Sequence, residues 1–134
     1  MRMTTQGDYA LRCILAIAYK SAKGPVAISR IVEEEHLPSD YTEQLMMKLR
    51  HGKLVKSVRG VKGGYLLNRH PSRITLKDVL EAVEGQAFKV ICGHKNGRKK
   101  KMCSGECVLK GVWMGLKRKI DGYLENKTIA SLMK

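Results

Sequence analysis

The sequence predicts a mainly α-helical fold with one small β-hairpin. Three observations lead there. A short helix, a tight turn and a second helix with a polar outer face follow one another between Ala27 and Gly52. Two runs of β-forming residues, Leu54–Val58 and Tyr65–Asn68, flank the glycine-bearing stretch Arg59–Gly64. From about Glu106 to Asn126, apolar residues recur at helical spacing along one long segment. Helix, turn, helix and hairpin in that order are the parts of a winged helix-turn-helix domain. A long amphipathic helix appended to so small a domain needs a partner for its apolar face.

The elements follow in chain order. Thr4 or Thr5 can cap a first helix running to about Lys20. Leu11, Ile14, Leu15 and Ala18 repeat at helical spacing, and Ala10, Cys13, Ala16 and Ile17 widen the apolar surface, so this helix is buried on most sides. Gly24-Pro25 closes the region. A second helix, about Ala27–His36, turns Ile28, Ile31 and Val32 inward and Glu33–Glu35 outward. Leu37-Pro38-Ser39 makes the turn. Asp40 then caps a third helix, with Glu43 three residues on completing a capping-box pattern. Tyr41, Leu45 and Leu49 share its inner face. Thr42, Glu43, Gln44, Lys48 and Arg50 are left for the others, and Gly52 stops the helix.

The hairpin tip carries Arg59 and Lys62. Its glycines lie between two strands rather than between strand and helix, so the phosphate-loop pattern is not met and no nucleotide site is expected. Thr75 caps a fourth helix with Asp78 at the third position, and Ile74 and Val79 form a hydrophobic staple. Leu76, Val79, Leu80 and Val83 face in, and Gly85 ends it. The long helix carries Leu109, Val112, Trp113, Leu116, Ile120, Tyr123 and Leu124 on one stripe, with Lys110, Lys117, Arg118, Lys119 and Glu125 on other faces. Thr128 caps a short terminal turn. Three regions result: a winged helix-turn-helix domain at 1–85, a cysteine-bearing loop at 86–107, and a dimerisation helix with C-terminal turn at 108–134.

Composition narrows the partner. The formal net charge is +14, and residues 86–134 hold 12 basic but only 3 acidic side chains. Such an excess points to a polyanion, nucleic acid first and an anionic membrane second; the alternative is a basic surface with no such partner. No apolar run reaches membrane-spanning length, and Cys13–Tyr19 is too short and lacks a cleavage-type segment. A cytoplasmic location is expected. There, four cysteines suit metal binding, redox chemistry or burial better than disulfides.

Three of those cysteines, Cys92, Cys103 and Cys107, share one polar stretch with the basic run Arg98–Lys101. Their thiolates can hold an iron–sulfur cluster, bind zinc, act as redox thiols or do nothing special. Cluster ligands come at many spacings, whereas zinc favours Cys-x-x-Cys units, which are absent. The same absence, with no obvious base beside a cysteine, argues against a thiol enzyme. His94 is a further ligand candidate. Cys13, on an apolar helix face, reads as a buried small hydrophobe.

The third helix and the hairpin tip hold the candidate DNA contacts. Glu43 either closes the capping box or accepts from a cytosine amino group; Gln44 suits adenine or a phosphate. Tyr41 has its body inward and its hydroxyl within reach of a phosphate. Arg59 is placed for a narrow minor groove. Ser39, Thr42, Lys48, Arg50 and Lys62 complete the set.

Four segments carry a resemblance to a known family. Met1–Arg12 is similar to the opening helix of the Rrf-two-type winged-helix transcription regulators. Asp40-Tyr-Thr-Glu-Gln-Leu45 is similar to their recognition helix. Leu54–Gly60 with Gly63–Leu67 is similar to their wing, the most specific of the four. Cys107-Val-Leu-Lys-Gly-Val-Trp113 is similar to the last cysteine and the start of the dimer helix. The family includes iron–sulfur cluster regulators, nitric-oxide sensors and cluster-free cysteine regulators. The resemblance implies a regulator, expected to be a repressor, that binds palindromic double-stranded DNA as a homodimer. It implies a two-iron or four-iron cluster on Cys92, Cys103 and Cys107 that senses nitric oxide, redox state or iron supply. No membrane and no small-molecule substrate are expected.

The chain also departs from the family pattern. Ten residues separate Cys92 from Cys103 and three separate Cys103 from Cys107, less even than in the cluster-binding members. Where the cluster-assembly branch carries a ligating histidine, this chain has Lys110, and a protonated lysine has no lone pair to give. Asp8–Arg12 resembles the nitric-oxide sensors, in which an aspartate from the partner subunit closes the site, so Asp8 is the expected fourth ligand. Two other readings stay open. One is a zinc-stabilised, non-specific nucleic-acid binder; the other is a thiol-based or metabolite-sensing regulator of the same fold.

Overall fold

The computed structural model describes residues 4–85 and 108–133. The chain begins with helix α1 (Thr5–Lys20), capped by the Thr4 hydroxyl, which accepts from the Gly7 backbone N–H at 3.2 Å. Ala10, Cys13, Ile14 and Ile17 on α1 are fully buried, making it the central helix of an aliphatic core. Cys13 is buried as expected. Desolvation, aided by the nearby Glu35 carboxylate, pushes its thiol up to about 12, so it packs as a neutral hydrophobe.

Helix α2 (Ile28–Glu35) ends at His36, which takes the left-handed conformation at φ 53°. Ile31 is its fully buried anchor, while Ile28 and Val32 are half-buried. Helix α3 (Ser39–His51) begins earlier than the sequence pattern suggests. Pro38 occupies the cap position and makes no side-chain cap bond. Asp40 therefore lies in the first turn, and the expected Asp40–Glu43 capping box does not form. The reason is local: Thr42 turns inward, with its backbone N–H and its hydroxyl both donating to the Pro38 carbonyl, at 3.0 and 2.7 Å. Asp40 still favours the helix from its first turn, opposite the positive end of the dipole.

Gly52 ends α3, yet the left-handed residue is Lys53, at φ 60°. Gly52 serves close approach instead, since a Cβ there would lie 2.9 Å from that of Ala82. Strands β1 (Val55–Val58) and β2 (Gly64–Leu67) pair antiparallel, Val55 against Leu67 and Val58 against Gly64. Val26 adds a bridge to Tyr65 through two backbone bonds of 2.8 and 2.9 Å, docking the hairpin on the domain. Gly64 permits this: at φ 156°, any Cβ would sit 2.4 Å from the Val26 carbonyl carbon.

Helix α4 (Leu76–Glu84) carries the expected capping box. Asp78 N–H donates to Thr75 Oγ1, and Thr75 N–H to Asp78 Oδ2, both at 3.0 Å. Ile74 and Val79 are fully buried as its staple. Helix α5 (Val108–Asn126) follows; the expected start at Glu106 and the loop at 86–107 lie outside the described residues. Helix α6 (Ile129–Leu132), capped by Thr128, returns to the start of α4: Ile129 N–H donates to Ile74 O at 2.8 Å and Leu76 N–H to Lys127 O at 2.9 Å. Ile129 is fully buried in the same core as α1. Among the described residues, no helix is long and apolar enough to cross a membrane.

Candidate nucleic-acid interface and sensor segment

Helix α3 is fixed by the buried quartet Thr42, Leu45, Met46 and Leu49. At 100° per residue, the opposite face is centred on Asp40, Gln44, Met47 and His51, with Glu43 and Arg50 on one flank. Ser39, Glu43, Gln44, Lys48 and Arg50 are exposed as expected. Thr42 is not. It is fully buried and hydrogen-bonded to Pro38, which removes it from any surface DNA could reach. Tyr41 is half-buried, its ring edge-on to Tyr9 at 5.9 Å, so its body belongs to the domain. Lys48 Nζ lies 3.4 Å from the Val83 carbonyl, placing its charge at the negative end of α4.

Met47 and His51 are the outward residues that reading the sequence passes over. Met47 is 56% exposed at the centre of that face. Its spacing of three from Gln44 and four from Glu43 is the signal that finds it.

The hairpin forms the second part of the surface. Arg59 and Lys62 are exposed at its tip, with Val61 fully exposed between them and Lys56 exposed on β1. A turn closed by Gly63 N–H donating to Gly60 O at 2.9 Å holds the tip in shape. Exposed cations on a hairpin beside an outward helix can engage a polyanion at two places at once.

Of the expected cluster ligands, Asp8 is described; Cys92, Cys103 and Cys107, with the alternative His94 and the basic run Arg98–Lys101, lie outside the described residues. Asp8 sits in the first turn of α1 with its side chain half exposed. It accepts from Arg12 Nε at 2.8 Å, which holds the guanidinium firmly protonated. Its neighbours tie α1 to the end of α4: Gln6 Nε2 donates to Val83 O, and Gly7 N–H to Glu84 Oε1 at 3.2 Å. Asp8 is thus next to the junction at which α4 gives way to the cysteine-bearing segment. Among the described residues, no group of three or more His, Cys, Asp or Glu is gathered as a metal site.

Helix α5 packs one side against α4, with Ile120 and Leu124 half-buried and Lys77 Nζ 2.7 Å from Glu125 Oε1. The rest of its stripe, Leu109, Val112, Trp113, Leu116 and Tyr123, is between 39% and 63% exposed.

Comparison with known proteins explains this combination. The family model described as Rrf2, Iron-dependent Transcriptional regulator, matches residues 3–134. The HTH-type transcriptional regulator IscR of Klebsiella pneumoniae (strain 342) is 36% identical over 135 residues, 99% of this chain and 80% of that protein. IscR of Serratia proteamaculans (strain 568) is 38% identical over 99% of this chain and 79% of its own length. Among solved structures, CymR (YrzC), the Global Cysteine Regulator of B. subtilis, superposes with a TM-score of 0.82 at 29% identity, covering 98% of this chain and 95% of that one. T. potens IscR superposes at 0.80 with 32% identity over 99% and 86% of the two chains. The relatives are regulators of transcription, not enzymes. An outward polar helix, a basic hairpin and a match over nearly the whole length agree, and the chain belongs to the Rrf2 family of transcription regulators.

Proposed function

We propose that this regulator binds palindromic DNA as a homodimer and that an iron–sulfur cluster on Cys92, Cys103 and Cys107 sets its DNA affinity. The observation that carries the reading is three cysteines between Cys92 and Cys107, in a chain matched from residue 3 to 134 by an iron-dependent regulator family. Helix α3 and the wing read DNA, and the exposed stripe of α5 pairs two subunits, so half-sites repeat with the dimer's two-fold symmetry. Repression is the expected sign.

Three thiolates leave a cluster one ligand short of four. The Asp8 carboxylate fits the vacancy chemically: it is half exposed, and Arg12 orients it as outer partners orient ligating carboxylates. When bound, the cluster supplies a group whose gain or loss follows nitric oxide, oxidants or iron supply, and it is two-iron or four-iron. Asp8 reaching the partner subunit would join the sensor of one subunit to the DNA-reading half of the other. Anaerobic reconstitution of Asp8→Ala and His94→Ala tests this. The Asp8 variant is expected to lose the visible spectrum or shift it, with iron and sulfide counts falling, while the His94 variant matches wild type. The reverse pattern would assign the ligand to His94.

The likeness to the Global Cysteine Regulator of B. subtilis favours a second reading, sensing through thiols or a metabolite without a cluster. It predicts colourless protein whose DNA affinity answers to thiol oxidants or a small molecule. A zinc-stabilised, non-specific binder would also be colourless, but would rank all duplexes equally.

The wing supplies a separate test. Arg59→Ala is expected to weaken operator binding by about 1–3 kcal/mol if the side chain reads a groove. Wild-type affinity should fall steeply with salt, as several Lys and Arg neutralise phosphates. Fluorescence anisotropy across a salt series measures both, and an Arg59→Ala variant that binds like wild type would take the wing tip out of the interface.

A further inference from the structure

We infer that Met47 is a specificity-determining residue that reads the C5-methyl group of a thymine in the major groove. The inference rests on the proposed DNA reading by α3 and adds the chemistry of one operator position. Met47 is 56% exposed and lies opposite the buried quartet, at the centre of the outward face. The other exposed residues of α3 are polar. Single exposed apolar residues are common on protein surfaces and need no explanation by themselves. Position makes this one different, because the second helix of a helix-turn-helix enters the groove along that face.

The major groove presents donors, acceptors and one apolar group, the thymine methyl. Glu43 and Gln44, one turn before Met47, suit the donors and acceptors. A thioether suits the methyl. It is unbranched and polarizable, and it adapts to an irregular apolar surface. Set against a guanine carbonyl, the same side chain would strip water from a polar edge and return no hydrogen bond, and against a cytosine or adenine amino group only a weak one. Met47 therefore favours thymine and disfavours the other bases at one position of each half-site.

Deoxyuridine isolates the effect, since it removes the methyl and leaves the base pairing intact. The purified full chain is first used to select duplexes from a random-sequence library. Each thymine of the selected half-site is then replaced by deoxyuridine, in both half-sites together, and affinities are measured for wild type, Met47→Ala and Met47→Leu. Burial of one methyl is worth about fourfold in affinity per half-site. At one position, with both half-sites replaced, wild type should lose about sixteenfold. Met47→Ala should bind the thymine duplex more weakly and lose nothing further with uracil, while Met47→Leu should stay sensitive. Alanine is a strong helix former, so the exposed substitution leaves α3 intact. Wild-type and Met47→Ala profiles that coincide at every thymine would overturn the role of Met47 alone. A library from which no sequence is enriched would overturn the sequence-specific reading as well.

Discussion

Leu116→Glu is expected to give a folded monomer that binds the operator about 10²–10⁴-fold more weakly than wild type. Leu116 lies in the middle of the α5 stripe, which the single chain leaves between 39% and 63% exposed. Ile120 and Leu124 of the same stripe lean on α4, which the Lys77–Glu125 pair also joins to α5. The Glu125 hydrogen bond keeps the Lys77 ammonium more strongly protonated than usual. The exposed remainder of the stripe is the face that the proposed homodimer would use. In a two-fold interface each substitution occurs twice, so Leu116→Glu removes two apolar contacts and brings two carboxylates into the seam. The core does not include Leu116, so the monomer should keep its far-ultraviolet dichroism and a cooperative melt, its melting temperature falling only by the stabilisation that dimerisation supplied. A lone subunit meets only one half-site, and the gain from linking two binding modules disappears. Sedimentation at micromolar concentration and operator titration provide the two readouts. A variant that stays dimeric, or binds within threefold of wild type, would rule out this seam.

Elements whose ends are set by near neighbours along the chain are legible in the sequence. Thr4, Thr75 and Thr128 each cap a helix, Thr75 with the expected Asp78, because a cap needs only a hydroxyl two or three residues from an orphan N–H. The third helix shows the limit of that reasoning. Asp40 and Glu43 have capping-box spacing, but the pattern looks the same whether it starts at the cap or inside the first turn. The inward turn of Thr42 onto Pro38 decides the matter. A threonine that bonds a carbonyl four residues back can be fully buried, so its polarity gives no hint that it faces the core. Met47 is the converse case, an apolar residue turned to solvent.

The candidate site divides in the same way. Charged wing residues and the polar face of α3 are local features, and most lie where the sequence puts them. Asp8 with Arg12 is a pair one turn apart and is equally local. The Lys48 contact with the end of α4 spans 35 residues and has no sequence signature. Nor has the docking of Gln6 and Gly7 on Val83 and Glu84. These long-range contacts bring the start of α1, helix α3 and the last turn of α4 to one place.

Ile129→Ala is expected to cost the winged domain about 2–5 kcal/mol, a large part of the roughly 5–15 kcal/mol typical of a domain. In sequence, Ile129 belongs to a short turn beyond the long helix. In the structure it is fully buried among residues of α1, beside Ile74, whose carbonyl accepts its backbone N–H at 2.8 Å. Thr75 and Thr128 bridge alongside, and Leu76 N–H reaches Lys127 O at 2.9 Å. Truncation to alanine leaves a cavity lined by α1 and the start of α4, which cannot collapse without moving the central helix. The same contacts fix where α5 ends, so the pose of α5 relative to α3 depends on them. Loss of the anchor should weaken DNA binding under conditions in which the domain is still folded. Leu132, 37% exposed on the same turn, is the control, and Leu132→Ala should cost well under about 1 kcal/mol. Urea denaturation of both variants measures the difference. A midpoint for Ile129→Ala equal to that of Leu132→Ala would show that the terminal turn is not part of the core that supports the DNA-reading surface.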